Sequence, residues 1–109
     1  MSYFRVNPVD TTGVVIAAAS SGNKARFIAF GVSNAHTAAV TFRLYDGTAA
    51  AGTMRVELTL APGSGLYQVI DAAGKSVFPK NWFTAGNAIE CSASATGDFR
   101  VFGDVVREV

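Results

Sequence analysis

The sequence has few of the residues that carry chemistry. Its 109 residues include one histidine, one cysteine, one tryptophan and three prolines, and only 16% of them are charged. The lone Cys91 excludes an internal disulfide and a thiolate metal cage, and its place in an alternating apolar segment predicts a small buried hydrophobic side chain. Because ordinary soluble domains carry roughly 25% charged residues, we expect some of the apolar surface to meet a partner.

The sequence has no cluster of like-charged residues. Nine Lys and Arg residues against eight Asp and Glu give a formal net charge of +1, and the basic residues are scattered singly from Arg5 to Arg107. Nucleic-acid binding needs a basic stripe or cluster, so we expect no nucleic-acid partner. No apolar run approaches the roughly 18 residues of a membrane span, and the opening MSYFRVNP lacks the apolar core of a signal peptide. We expect no membrane partner and synthesis in the cytoplasm.

The most regular pattern lies in the middle of the chain. Apolar and polar residues alternate in two arms, 40–45 and 54–60, with the period of a half-buried strand. The glycine-containing segment between them permits a reversal of direction. We therefore predict an antiparallel hairpin, in which Glu57 pairs with Arg43 or Arg55 across the polar face.

Turn residues recur along the rest of the chain at spacings near 8 to 12 residues, with no convincing helical period. This pattern predicts an all-β protein, a single antiparallel β-sandwich or jelly-roll-like domain of about eight strands. We place the domain at residues 9–109. Residues 1–8 are expected to form an N-terminal arm or edge strand that folds onto its own domain or onto a neighbouring subunit. In the last strand, Gly103 predicts a bulge or bend.

The segment Arg26 to Asn34 is apolar on both faces. Strict alternation puts Phe27, Ala29 and Gly31 together on one face. Such a strand is either central and covered on both sides, or it presents this face to an oligomer partner with Phe27 as the anchor. Both interpretations stay open.

No catalytic arrangement is evident. The acidic residues fall singly in turns or on polar strand faces, and the only histidine, His36, lies in a loop. We expect no enzyme activity, no cofactor and no metal. The large aromatic residues are the candidates for partner contacts, because such side chains anchor interfaces and bind sugars. The candidates are Tyr3, Phe4, Phe27, Tyr45, Tyr67, Trp82 and Phe83.

The C-terminal third carries a family resemblance. It contains an aromatic crossing NWF, then TAGNAIECSAS, a short glycine turn and a last strand ending VVREV, while VTFRLYDGT and LAPGSG upstream fit the same pattern. Over residues 14–109 the chain resembles small all-β virion proteins of tailed bacteriophages. The resemblance implies a non-enzymatic head decoration (cement) protein, or a related fibre or head–tail component, on the capsid surface. It also implies binding to the major capsid protein or another virion protein, commonly as a trimer, and it brings no catalytic residues.

Two other classes of function stay open. A carbohydrate-binding module or a receptor-binding tail tip would hold Trp82 and Tyr67 in an exposed groove. A small jelly-roll enzyme would need a metal or an acid pair, which His36 and the scattered carboxylates do not supply.

Overall fold

The structure is a computed structural model that describes residues 2–6, 11–20, 22–69, 76–95 and 98–108. Within these ranges the chain forms eight strands and one turn of 3-10 helix, and no helix there is long and apolar enough to cross a membrane. The strands are β1 Ser2–Val6, β2 Val14–Ala17, β3 Lys24–Asn34, β4 Val40–Asp46, β5 Thr53–Leu60, β6 Gly65–Val69, β7 Ile89–Ala93 and β8 Phe99–Glu108, and the 3-10 helix is Lys80–Trp82. Residues 1, 7 and 8 of the predicted arm and the turn-forming residues at 71–75 lie outside the described residues.

The strands form two four-stranded antiparallel sheets. Their orders are β1-β8-β3-β6 and β2-β7-β4-β5. Successive strands lie in opposite sheets except for the β4–β5 hairpin, which is the strand arrangement of a jelly roll. The predicted all-β sandwich of about eight strands is therefore confirmed. Pairing of β1 with β8 places the N-terminal strand on its own domain, one of the two expected arrangements.

The predicted hairpin is formed by β4 and β5. The inward-facing Val40, Phe42 and Leu44 are fully buried, as the alternation requires. On the outer face Arg43 lies opposite Glu57, and its Nε donates a hydrogen bond to the carboxylate at 2.8 Å. This hydrogen bond and the charge of Glu57 raise the pKa of the Arg43 guanidinium. The expected cross-strand ion pair is thus present, with both side chains about half exposed.

The strand β3 interrupts its alternation at Ile28. Phe27 opposes one residue of β8 and Ala29 opposes the residue directly before it, so Ile28 is an extra residue in a β-bulge. Because of this bulge, Phe27 and Phe30 both face the core, at 0% and 4% exposure. The prediction that Phe27 shares a face with Ala29 is wrong, since one inserted residue reverses the faces on one side of it.

A bulge was predicted at Gly103 in β8, but the observed bulge lies in the neighbouring strand β3. Gly103 itself has a φ of 155°, and a Cβ there would overlap the carbonyl oxygen of Ala29. The glycine therefore permits the backbones of β8 and β3 to approach next to the bulge.

The core between the sheets is built around phenylalanine rings. The centroid of Phe27 lies 6.0 Å from that of Phe4, 5.9 Å from Phe30, 5.4 Å from Phe78 and 5.2 Å from Phe83. All four contacts are edge-to-face or tilted, geometries that add about 0.5 to 1.5 kcal/mol per pair to the stabilisation from buried area. The segment after residue 76 thus covers one side of the sandwich with its aromatic side chains.

Candidate functional site

Three of the seven predicted contact residues belong to the core. Phe4, Phe27 and Phe83 are 7%, 0% and 1% exposed. A partner has no access to these rings while the sandwich is intact. Their role in the structure is to hold the two sheets together.

Two further candidates are half-buried and contact their own chain. The hydroxyl of Tyr45 lies 3.4 Å from Ser92 Oγ. Trp82 stacks on Phe78 with centroids 6.1 Å apart, and its carbonyl oxygen accepts a 2.7 Å hydrogen bond from Arg55 Nε. Arg55 is the extra residue of a bulge in β5, which explains why it bonds to this loop instead of to Glu57.

Tyr67 is the candidate that the structure exposes most clearly. The residue is 58% exposed, and its ring stacks on Phe102, with centroids 5.6 Å apart and an interplanar angle of 26°. Both rings lie over Gly31, where a Cβ would come within 2.5 Å of the Phe102 ring and 2.8 Å of the Tyr67 ring. The backbone of Tyr3 lies in β1, opposite Asp104; its side chain is outside the description.

The Tyr67–Phe102 pair lies at the exposed edge of its sheet, which is formed by β6. All five residues of β6 are exposed, and the large apolar ones, Leu66, Tyr67 and Val69, are 45%, 58% and 50% accessible. Within the described part of the chain, β6 pairs with β3 on one side and with no strand on the other. We call Gly65–Val69 together with Phe102 the β6 surface.

The other three sheet edges carry features that discourage pairing with a second chain. The strand β1 exposes Arg5, and β2 is only four residues long with a bulge at Ile16. The edge strand β5 carries Glu57 and the bulge at Arg55. Charges, bulges and short lengths are the usual protections of an edge. The strand β6, GLYQV, has no charged residue and an unbroken register with β3, so it is the least protected edge.

A cleft of about 490 Å³ lies at one end of the sandwich, lined by the β4–β5 loop and residues 84–88. The buried carboxylate of Asp46 lies in its lining. Oδ1 accepts hydrogen bonds from the Thr84 amide at 3.0 Å and from Asn87 Nδ2 at 3.3 Å, and Oδ2 accepts one from Thr84 Oγ1 at 2.7 Å. These bonds fix the turn that leads into β7, which is a structural role for Asp46.

Arg107 supports the same end from β8. Its Nη1 donates to the carbonyl of Asn23 at 3.2 Å, and its Nη2 donates to the carbonyls of Ala18 at 2.8 Å and Asn87 at 2.6 Å. Desolvation lowers the pKa of Arg107, and the charge of Asp46 opposes that shift. The guanidinium therefore ties the β2–β3 loop to the loop before β7.

Among the residues that the structure describes, no three His, Cys, Asp or Glu side chains come together as a metal site. His36 lies in the loop after β3, where its backbone amide donates to Asn34 Oδ1 at 2.9 Å. The buried Asn34 in turn donates to the carbonyls of Ala38 and Leu60, at 3.0 Å each. This polar cluster anchors a loop and brings no carboxylate to the histidine.

Sequence reasoning identified Tyr67 but missed Phe102 and the exposure of β6. The available signal was the absence of charge from Leu58 to Ile70, a feature that the β2 segment shares, so charge alone could not single out this strand. Comparison with protein families, curated proteins and solved structures finds no significant match.

Proposed function

We propose that the chain is a non-enzymatic structural protein of a virion, a decoration protein that attaches to the assembled head of a tailed bacteriophage and reinforces it. The observation that carries the proposal is the β6 surface, an exposed apolar edge in a chain of low charge. Apolar surface of this kind is typical of sites that bind other proteins. The resemblance over residues 14–109 supplies the class of partner, a major capsid protein or another virion protein.

A decoration protein acts through binding energy alone. Each copy adds apolar and hydrogen-bonded contacts across neighbouring shell subunits, and copies at symmetry-related positions convert a modest contact into strong cohesion. The jelly roll is compatible with this role without requiring it, because the same fold hosts unrelated functions. The side chains that support the proposal are therefore those of the surface and not those of the core.

The direct test is sedimentation of the purified chain with heads of the phage that encodes it, prepared without this protein. We expect the chain to sediment with the heads and to raise the temperature at which they release DNA. Heads that neither retain the chain nor gain heat resistance would contradict the proposal. Gene order gives a second test, since neighbouring genes for a major capsid protein and scaffold are expected, and tail-tip genes would favour a fibre.

A carbohydrate-binding role, in a fibre or tail tip, is the second candidate. It is favoured by one observation, the exposed ring of Tyr67 beside Phe102, since sugars stack on aromatic faces. Trp82 is less suited than expected, because it is half-buried against Phe78. A glycan-array signal that is lost in Tyr67→Ala and kept in Trp82→Phe would select this candidate over decoration.

A further inference from the structure

We infer that β6 is the site at which two copies of this chain pair edge to edge, giving a two-fold dimer with a continuous eight-stranded sheet. The inference concerns the same β6 surface as the virion proposal and names a second copy of the chain as its first occupant, and it can hold or fail whether or not the chain attaches to a phage head. It rests on the backbone geometry of β6, on the lack of charge in that strand, and on the protection of the other three edges.

The first step is to establish which backbone groups of β6 point outward. The amide of Asn34 donates to the carbonyl of Ser64 at 2.8 Å, so the carbonyl of Ser64 points toward β3. Hydrogen-bonded and non-hydrogen-bonded pairs alternate along an antiparallel ladder. Leu66 and Gln68 therefore bond to β3, while the N–H and C=O groups of Gly65, Tyr67 and Val69 point away from it.

The second step is the register. An antiparallel edge is complementary to itself, and a two-fold axis at Tyr67 sets Tyr67 opposite Tyr67 of the second copy and Gly65 opposite Val69 of the second copy. Each of these pairs is of the hydrogen-bonded type, so all six outward N–H and C=O groups find partners. A shift by one residue would leave them unpaired, since donors and acceptors would then face the wrong way.

The side chains agree with this register. Tyr67 and Phe102 stack on the outer face, so the two copies would align four rings in a row across the axis. No charged side chain of Gly65–Val69 opposes another.

A second copy is favoured over an unrelated strand because the same surface supplies both halves of the contact. Two-fold contacts are also the commonest among oligomers of identical chains. This arrangement differs from the trimer that the resemblance implies, and solution mass separates the two.

The mass of the purified chain tests the inference directly. We expect about twice the 11.4 kDa of one chain for the wild type and a single-chain mass for folded Tyr67→Lys, which places two like charges opposite each other. The matched control is Met54→Lys, at a 48% exposed apolar position on the β5 edge, and it should remain dimeric. A monomeric or trimeric wild type, a dimeric Tyr67→Lys, or equal dissociation of Met54→Lys would contradict the inference.

Cross-linking tests the register without disturbing the fold. Leu66 faces Gln68 of the second copy as a non-hydrogen-bonded pair, with Cα atoms expected about 4.5 Å apart, within disulfide range. A mixture of Leu66→Cys and Gln68→Cys chains should therefore form a covalent dimer on oxidation, whereas each variant alone should not. Cys91 is buried and does not compete. Equal cross-linking of either variant alone, or none in the mixture, would overturn the register. Attachment to phage heads is measured separately with the wild type, so failure of the dimer and failure of the virion proposal can be told apart.

Discussion

Replacing Phe27 by alanine should destabilise the folded chain and not merely weaken its assembly. The ring is completely buried, and four other aromatic rings lie with centroids 5.2 to 6.0 Å from it. Removal of a buried Phe side chain costs about 3 to 5 kcal/mol, because lost burial and the cavity add together. Since domains unfold with about 5 to 15 kcal/mol in total, this one change should remove a large part of the stability.

The assay is urea unfolding followed by the fluorescence of the single Trp82. Phe27→Leu keeps most of the volume and should cost less than about 1.5 kcal/mol, so it serves as a conservative control. Tyr67→Ala removes an exposed aromatic ring for comparison with the buried Phe27. It should lower the free energy of unfolding by about 1 kcal/mol, chiefly because the stacking on Phe102 is lost. An unchanged unfolding midpoint in Phe27→Ala, combined with a loss of oligomers, would show that Phe27 is an interface residue and refute the placement of the bulge.

Three further changes test other parts of the structure. Gly103→Ala should lower the free energy of unfolding by about 1 to 3 kcal/mol, because the new Cβ meets the backbone of Ala29, which cannot rotate away. Thermal unfolding measures this change, and an unaltered melting temperature would contradict it. Asp46→Ala should lower the free energy of unfolding by about 1 to 3 kcal/mol, because it removes the buried carboxylate that accepts hydrogen bonds from the amide and hydroxyl of Thr84, and a smaller loss is expected in Asp46→Asn. Arg43→Ala should leave the melting temperature nearly unchanged, because its ion pair is half exposed, and a large drop would argue against that.

The parts of the fold that could be predicted are those set by local pattern. In β4 the period of two runs without interruption from Val40 to Leu44, so the buried face followed from counting, while the choice of Arg43 over Arg55 as the partner of Glu57 needed the strand register. The overall class followed similarly, because turn residues divide the chain into short segments that are too short for helices. No long-range information was needed for the buried face or for the class.

The face of Phe27 could not be predicted, because a bulge depends on the neighbouring strand. Ile28 is an ordinary strand residue, and only its position opposite β8 makes it the extra one. Gly103 correctly indicated a bulge at this level of the sheet, but the extra residue lies in β3 and not in β8. The close approach that it permits is visible only once β3 and β8 are adjacent.

Only part of the candidate site could be predicted, because its contacts also depend on which strands are adjacent. Tyr67 was a candidate as a large aromatic residue, but its stacking partner Phe102 is distant in sequence and meets it across Gly31 only in the assembled sheet. Four of the other candidates, Phe4, Phe27, Phe83 and Trp82, pack on one another or on Phe78, since a small sandwich uses its largest rings to fill the core.

The most direct test of the central claim, that this chain adheres through the β6 edge, is amide hydrogen exchange along β6. The amides of Leu66 and Gln68 bond to β3 and should be protected in any state, which makes them an internal reference. In the assembled wild type we expect the amides of Tyr67 and Val69 to be protected as well. In the Tyr67→Lys variant we expect the amide of Val69 to exchange rapidly. Rapid exchange at Tyr67 and Val69 in the assembled protein, beside protected Leu66 and Gln68, would show that the edge stays open and would contradict the account.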